Sequence, residues 1–309
     1  MMWLYVILGL VVLAFSGDML VRGSVDLSKI LKVSPFIIAG TLVAFGTSAP
    51  EFFVSVIASI DGSPEAAIGN ILGSNFANVF LALGVAALIN VIHPPKNMNF
   101  IDIIVLLVFT IVFAFISLNL SSFSMWFGYA LVLTLIIYLF FTIKNNSNIE
   151  DEDTSSHNLN VRKSIIIFIL GLVGILVGSD LLVTGGINIA KNYGIREAVI
   201  GLAILAFGTS LPEVATSIIA AIKKENSIAI GNIVGSSIFN ILAIGGSVLL
   251  VSGQSDIEKT SISVFDLIPF LLATIILLLF YIYKFTITKL YGFLLVVFYI
   301  IWISLIFLY

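Results

Sequence analysis

The sequence predicts an all-α integral membrane protein, with ten transmembrane helices in two inverted five-helix repeats and broken helices at a midplane site. Of its 309 residues, 60% are hydrophobic and 10% are charged, a composition typical of membrane-embedded chains and not of soluble domains. Continuous apolar runs without two-residue alternation exclude a β-barrel, so the spans must be helices. An internal repeat and an uneven distribution of basic residues predict how these helices are arranged.

Ten apolar segments each approach the length needed to cross the hydrocarbon layer. In chain order they cover residues 2–30, 34–60, 67–90, 101–118, 123–142, 162–190, 195–222, 228–250, 262–283 and 287–308. The first and sixth are long, so we expect them to tilt or to project beyond the membrane. The chain has no cysteine, which excludes disulfides and thiolate metal sites.

The second half of the chain repeats the first at a constant offset of 162 residues. Ala44-Phe-Gly-Thr-Ser-Ala-Pro-Glu51 returns as Ala206-Phe-Gly-Thr-Ser-Leu-Pro-Glu213, and Gly69-Asn-Ile71 returns as Gly231-Asn-Ile233. Further pairs at this offset are Gly73/Gly235, Ser74/Ser236, Asn78/Asn240, Gly84/Gly246, Asp18/Asp180, Gly23/Gly185 and Lys29/Lys191. An ungapped match of this extent predicts a duplicated unit.

The duplication predicts a first repeat over residues 1–143, with its motif region at 34–90, and a second over 162–309, with its motif region at 195–250. A polar linker, 144–161, joins them. Eleven basic residues fall on the linker side of the spans and three on the other. The positive-inside rule then places the linker in the cytoplasm and both termini outside the cell membrane. Because each half has five spans, the second half enters from the opposite face, an arrangement typical of secondary transporters.

Two glutamates, Glu51 and Glu213, fall inside predicted spans at matching positions of the repeat. A charged side chain at the bilayer centre costs about 2.5–3.5 kcal/mol on insertion scales, and such residues usually mark function. Two of them in matching positions of inverted halves predict one shared site for a positive ion. Asp18 and Asp180 are also duplicated, but they lie late in their segments, and we interpret them as interfacial or packing residues.

A proline precedes each glutamate and predicts a break in its helix. Pro50 and Pro212 each remove a backbone donor, so we expect the helices to break near the Gly-Thr-Ser step. The break should free carbonyls at the end of the first half-helix, those of Ala44 and Ala206. A single proline in a membrane helix usually produces only a kink. A proline beside a glutamate in both halves favours an ion-binding site.

Oxygen-bearing side chains accompany the glutamates at helical spacing. The pairs four residues apart are Thr47 with Glu51, Ser74 with Asn78, Thr209 with Glu213, and Ser236 with Asn240. Carboxylates, hydroxyls, amides and carbonyls form an all-oxygen set, which hard cations such as Na⁺ and Ca²⁺ prefer. Soft metals would need cysteine or histidine, and His93 and His157 fall in predicted loops. Small residues one turn apart predict close helix approach at Gly69/Gly73 and Gly231/Gly235.

These motifs resemble the two α-repeats of the sodium/calcium exchangers, which belong to the cation/calcium antiporter superfamily. The matching residues are GTSAPE (46–51) with GNILGSNFAN (69–78), and GTSLPE (208–213) with GNIVGSSIFN (231–240). The short central linker resembles that of the compact prokaryotic members. The resemblance implies that ions bind midway between the second, third, seventh and eighth helices, while the first and sixth slide to alternate access.

The resemblance also implies a set of ten metal ligands, five from each half. They are Ala44, Thr47, Glu51, Ser74, Asn78, Ala206, Thr209, Glu213, Ser236 and Asn240. Some family members have an acid in place of Asn78 or Asn240, so this site would hold two carboxylates and not three. Glutamate in both motifs differs from the aspartate typical of K⁺-dependent relatives, and Gly-Thr-Ser differs from the Gly-Asn-Ala-type motif of proton-coupled calcium exchangers.

By this resemblance the protein is a secondary active antiporter that exchanges three Na⁺ for one Ca²⁺ by alternating access. The residues themselves supply a charge of −2 in the empty site, from the two glutamates. One Ca²⁺ brings the site to 0 and three Na⁺ bring it to +1. Either loaded state crosses the low-dielectric barrier at far lower cost than the empty one, so exchange is favoured over leak.

Other classes stay open at this point. The main rivals are an H⁺/Ca²⁺ antiporter, a K⁺-dependent Na⁺/Ca²⁺ antiporter, and an antiporter of Na⁺ with Mg²⁺ or Mn²⁺. A cation channel would use the glutamates in a selectivity ring, for which an inverted pair is poorly suited. An intramembrane enzyme has no support, because the chain lacks an HExxH motif and a cysteine nucleophile. We expect no enzymatic activity and no cofactor. The expected partners are Na⁺, Ca²⁺ and the lipid bilayer, without nucleic acid or a protein partner.

Overall fold

The computed structural model describes residues 2–96, 98–119, 125–145, 160–194, 207–252 and 262–308. Within these ranges the chain is helical apart from short connections and one antiparallel bridge between Ile92 and Ile287. The prediction of an all-α membrane protein is confirmed. Of the predicted segment 195–222, only the part from residue 207 is described, and the linker is described only at its two ends.

The described helices are numbered in chain order. They are α1 Met2–Leu31, α2 Pro35–Thr47, α3 Ala49–Ile60, α4 Pro64–Ile89, α5 Phe100–Leu118, α6 Met125–Asn145, α7 Val161–Asn192, α8 Leu211–Ile222, α9 Asn226–Ser252, α10 Val264–Tyr283 and α11 Lys289–Leu308. Seven of the described helices are long and apolar enough to cross a membrane, or eight if α2 and α3 are one bent span.

Helices α4 and α9 form the centre of the molecule. Their most apolar windows are 83% buried, against 33% for α1 and 28% for α7, which lie at the periphery. Each central helix widens to π-helical turns, at Asn78–Leu83 in α4 and Asn240–Ile244 in α9. Such turns are rare and often accompany functional sites. Here they begin at two of the predicted ligand residues.

Glycines bring α2 close to α9. A Cβ atom on Gly235 would lie 2.5 Å from the Cα of Gly40, and one on Gly231 would lie 2.9 Å from the Cβ of Ala39. Only a glycine surface allows this approach, as the sequence predicts for this pair. For the matching Gly69 and Gly73 on α4, no described atom beyond the adjoining turns of the same helix lies within 4 Å of such a Cβ.

The long helices α1 and α7 pack against each other in an antiparallel register with glycines at reciprocal positions. A Cβ on Gly9 would meet the backbone nitrogen of Leu182 at 2.8 Å, and one on Gly171 would meet the Cα of Leu20 at 2.7 Å. Gly171 and Leu182 are the repeat equivalents of Gly9 and Leu20. The glycine–leucine contact therefore occurs twice, once with the glycine on α1 and once with the glycine on α7.

The two duplicated aspartates lie outside the buried centre, as the sequence predicts. Asp18 is 33% exposed and pairs with Arg22 at 2.8 Å and with Lys223. Asp180 is exposed. The buried Asp102 has a structural role, because it belongs to the capping box of α5 and accepts a hydrogen bond of 2.8 Å from the Tyr138 hydroxyl.

Candidate functional site

The two Gly-Thr-Ser-x-Pro-Glu motifs form helix breaks at the centre of the molecule. Helix α2 ends at Thr47 and α3 begins at Ala49, bent by 45° from it. In the second half a turn at residues 209–210 precedes α8. The predicted break at the first motif is confirmed, and its cause is the proline in the first turn of α3, which has no N–H to bond backward. Each glutamate consequently lies in the first turn of a helix, where the helix dipole favours negative charge.

The two carboxylates are buried and held by hydroxyls from the opposite repeat. Glu51 and Glu213 are each 1% exposed. The Oγ of Ser48 donates to Oε1 of Glu213 at 2.9 Å, and the Oγ of Ser210 donates to Oε1 of Glu51 at 3.2 Å. Ser236 also donates to Oε1 of Glu213, at 3.3 Å. Each half of the duplicated chain thus fixes the glutamate of the other half.

The site threonines make a second reciprocal pair of contacts. The Oγ1 of Thr47 donates to Oδ1 of Asn232 at 3.2 Å, and the Oγ1 of Thr209 donates to Oδ1 of Asn70 at 3.4 Å. Thr47 and Thr209 are repeat equivalents, and so are Asn70 and Asn232. The four elements that carry the motifs are therefore joined across the repeat boundary by matched hydrogen bonds.

Several buried oxygens at the site lack a hydrogen-bond donor within the described residues. They are Oε2 of Glu51, Oε2 of Glu213, Oδ1 of Asn78 and Oδ1 of Asn240. A buried acceptor without a partner costs about 1–3 kcal/mol, and a charged one costs more. In the described part of the chain, neither glutamate forms an ion pair with lysine or arginine. A buried, acceptor-rich site with two carboxyl groups is suited to a cation.

Most of the predicted ligand residues are buried around these contacts. Thr47, Ser74, Asn78, Thr209, Ser236 and Asn240 are all at most 7% exposed. The carbonyl of Ala44 is not freed as expected, because the Ser48 N–H still donates to it at 3.0 Å. The Oγ1 of Thr47 also donates to this carbonyl, at 3.4 Å. Ala206 lies outside the described residues.

Sequence reasoning did not single out Ser48, Ser210, Asn70 and Asn232 as site residues. All four lie inside the repeated motifs and obey the same 162-residue offset as the predicted ligands. That offset was the signal in the sequence that could have identified these four residues as part of the site. It could not show which residue of one half meets which residue of the other, because that depends on how the halves cross in space.

Comparison with known proteins gives one consistent family. The chain matches the family described as sodium/calcium exchanger protein over residues 1–144 and 163–308. It is 36% identical over 321 residues to the sodium/calcium exchanger MaX1 of Methanosarcina acetivorans, covering 91% of each protein. It is 37% identical over 272 residues to an uncharacterized membrane protein of Methanocaldococcus jannaschii, covering 87% of this chain and 89% of that protein. The solved structure of the sodium-calcium exchanger NCX_Mj, soaked with Na⁺ and without Ca²⁺, matches with a TM-score of 0.84 at 36% identity, over 98% of this chain and 99% of that one.

Proposed function

The chain belongs to the sodium/calcium exchanger family, a family of transporters and not of enzymes, and from this premise we propose that it exchanges Na⁺ for Ca²⁺ across the cell membrane by alternating access. One observation carries the proposal. Two buried glutamates from opposite halves each use one oxygen to accept a serine hydroxyl and keep the other without a donor among the described residues. Two carboxylates together with buried amide oxygens that lack a donor among the described residues form a site that a hard cation completes.

We assign the ligands to matching oxygens of the two halves. They are those of Ala44, Thr47, Glu51, Ser74, Asn78, Ala206, Thr209, Glu213, Ser236 and Asn240. Burial supports the described members of this set, and the reciprocal serine bonds support the inclusion of both glutamates. We expect no cofactor, because the transported ions themselves occupy the site.

Reciprocal contacts also support the proposed arrangement of ten helices in two inverted repeats. The exchanged positions of Gly9 and Gly171 at the α1–α7 interface are what a two-fold axis in the membrane plane would produce. With five spans in each half, the linker lies in the cytoplasm and both termini lie outside. Movement of α1 and α7 against the central helices would then open the site to each side in turn.

Flux measurements with purified protein in liposomes test the proposal against its rivals. Ca²⁺ uptake is measured while an outward Na⁺ gradient, a K⁺ gradient and a pH gradient are imposed in turn. We expect the Na⁺ gradient alone to drive Ca²⁺ uphill. Uphill uptake driven by the pH gradient alone would establish H⁺/Ca²⁺ exchange, a requirement for K⁺ together with Na⁺ would establish K⁺ dependence, and conduction without a counter-ion would establish a channel.

Exchange is expected to slow as the pH falls from neutral to acid. Cation binding needs both carboxylates ionised, so protons compete with Na⁺ and Ca²⁺ for the same oxygens. The measurement is the initial rate of Na⁺-driven Ca²⁺ uptake at several pH values, with equal pH on both sides of the membrane. A rate that is flat over this range would show that the glutamates are not the shared ligands.

Exchange is also expected to be electrogenic, at three Na⁺ for each Ca²⁺. The loaded site alternates between a net charge of 0 and +1, so one positive charge crosses per cycle, worth about 2.3 kcal/mol per 100 mV. A valinomycin-clamped potential, positive inside, should therefore speed Na⁺ efflux coupled to Ca²⁺ uptake, the mode that exports net charge. The opposite potential should slow it, and a rate indifferent to both potentials would contradict the charge count.

A further inference from the structure

Two asparagines contact the site without belonging to the proposed ligand set. Asn70 on α4 is 4% exposed and Asn232 on α9 is fully buried. Each accepts a hydrogen bond from a site threonine of the opposite half. We infer that Asn70 and Asn232 are positioning residues, which take the hydroxyl protons of Thr209 and Thr47 and so direct the hydroxyl oxygens toward the transported cation. This inference rests on the function proposed above.

The chemistry of a hydroxyl group shows why such an acceptor is needed. A threonine hydroxyl has one proton and two lone pairs, and its proton rotates to suit its neighbours. A cation binds a lone pair and repels the proton, so the proton needs an acceptor on the side away from the ion. The amide oxygens of Asn232 and Asn70 provide this acceptor at 3.2 and 3.4 Å. For Thr47 the Ala44 carbonyl is a second acceptor at 3.4 Å, so the Asn232 oxygen is the nearer of the two. Both distances are long for an O–H···O bond, and the recurrence of the pairing in both halves is the stronger indication.

The orientation of the Asn70 amide is determined by its other contacts. Its Nδ2 donates to the backbone carbonyl of Glu51 at 3.3 Å and to the Oγ of Ser55 at 2.9 Å. The carbonyl can only accept, so Nδ2 must face α3 and Oδ1 must face Thr209. One side chain therefore joins the glutamate backbone of its own half to the threonine of the other half.

The equivalent network around Asn232 is only partly formed. Nδ2 of Asn232 and the Oγ of Ser217, which correspond to the bonded atoms of Asn70 and Ser55, have no hydrogen-bond partner within the described residues. Thr47 is thus the only described hydrogen-bond partner of the Asn232 side chain. Asn232 is consequently the cleaner residue for a test, since replacing it removes no other bond among the described residues.

A double-mutant cycle tests whether Asn232 acts through Thr47. Asn232→Leu keeps the approximate size of the side chain and removes the acceptor, while Thr47→Val removes the hydroxyl. The readout is the apparent KM for Ca²⁺ in Na⁺-driven uptake. We expect each single variant to raise the KM by about tenfold, the lower end of the usual effect of losing a group that orients a metal ligand. The double variant should be no worse than Thr47→Val alone, because the asparagine then has nothing to orient.

Matched combinations distinguish positioning from a general structural role. In a Thr47→Ser background the hydroxyl is kept, so Asn232→Leu should have its full effect. In a Thr209→Val background, where the affected threonine belongs to the other pair, the two fold-changes should multiply. Multiplicative effects for Thr47→Val with Asn232→Leu would overturn the inference, even if exchange itself is intact.

The same cycle can be measured without transport. Ca²⁺ binding to the purified protein in detergent, by titration calorimetry, reports on the pairing whether or not Na⁺ drives the flux. Failure of wild-type Na⁺-driven uptake would therefore refute the proposed function alone. Additive effects of the two substitutions on the free energy of Ca²⁺ binding would refute the positioning role alone.

Discussion

Replacing either buried glutamate by glutamine is expected to reduce Na⁺-driven Ca²⁺ uptake to background. Glu51→Gln and Glu213→Gln each remove one of the two negative charges that offset the charge of the ion, while keeping the size of the side chain and an oxygen for the serine of the opposite half. Loss of a group that only orients a metal ligand costs about 10–100-fold. Loss of a charged ligand should exceed that range. The measurement is the initial rate of ⁴⁵Ca²⁺ uptake into Na⁺-loaded liposomes.

Folding should survive both changes, because removing a charge from the membrane interior lowers the cost of insertion. Gel filtration and thermal melting in detergent check this directly. Asp180→Asn is the matched control, since it removes an acid at another duplicated position that is exposed on α7 and should leave uptake near the wild-type rate. Near-normal uptake by either glutamine variant would refute the two-carboxylate site.

Na⁺/Na⁺ exchange separates two causes of the expected loss. Na⁺ needs less negative charge than Ca²⁺, so a glutamine variant that has lost Ca²⁺ binding but still moves its helices should keep residual ²²Na⁺ exchange. Loss of both activities in a folded variant would instead indicate that the carboxylates are also needed for the movement. Glutamine keeps an oxygen that can accept the hydrogen bond from the serine of the opposite half. Loss of both activities would therefore be due to the lost charge and not to a lost serine hydrogen bond.

The all-α architecture and the first helix break could be predicted because each follows from a local property of the sequence. Apolar segments long enough to cross a bilayer must be helical, whatever they pack against. The break between Thr47 and Ala49 follows from the missing N–H of Pro50. The burial of Glu51 and Glu213 was likewise predictable, because ionisable residues within apolar spans almost always face the interior of the helix bundle and not the lipid.

Contacts that depend on the crossing of the two halves could not be predicted. Ser48 is one residue from a predicted ligand in the sequence, yet its hydrogen bond goes to Glu213, in the other half. The offset predicts that a contact made once will be made twice, but not which contact it is. Helix breaks usually expose carbonyls, which is the basis for predicting a free carbonyl at Ala44. That carbonyl keeps the Ser48 N–H because α2 completes its last turn before the bend.

Placing a methyl group on Gly171 is expected to destabilise the protein more than the same change at Gly178 or Gly186 of α7. Its Cβ would overlap the backbone nitrogen of Leu20 and approach the Cα at 2.7 Å, and neither atom can turn aside as a side chain can. Helix pairs in a bilayer are held by close packing and not by the hydrophobic effect. Forcing α1 and α7 apart should therefore cost about 1–3 kcal/mol, the usual range for overpacking, or more.

Glycines on the same helix provide graded controls for this prediction. Gly186→Ala adds its methyl where no described atom beyond the adjoining turns of α7 lies within 4 Å. Gly178→Ala meets the backbone nitrogen of Leu13 at 3.0 Å. Alanine favours a helix over glycine by about 1 kcal/mol at all three positions, so this contribution cancels in the comparison. The apparent melting temperature in detergent should fall in the order Gly186→Ala, Gly178→Ala, Gly171→Ala. If Gly171→Ala melts together with Gly186→Ala, then α1 and α7 do not pack at the distance that their reciprocal glycines indicate.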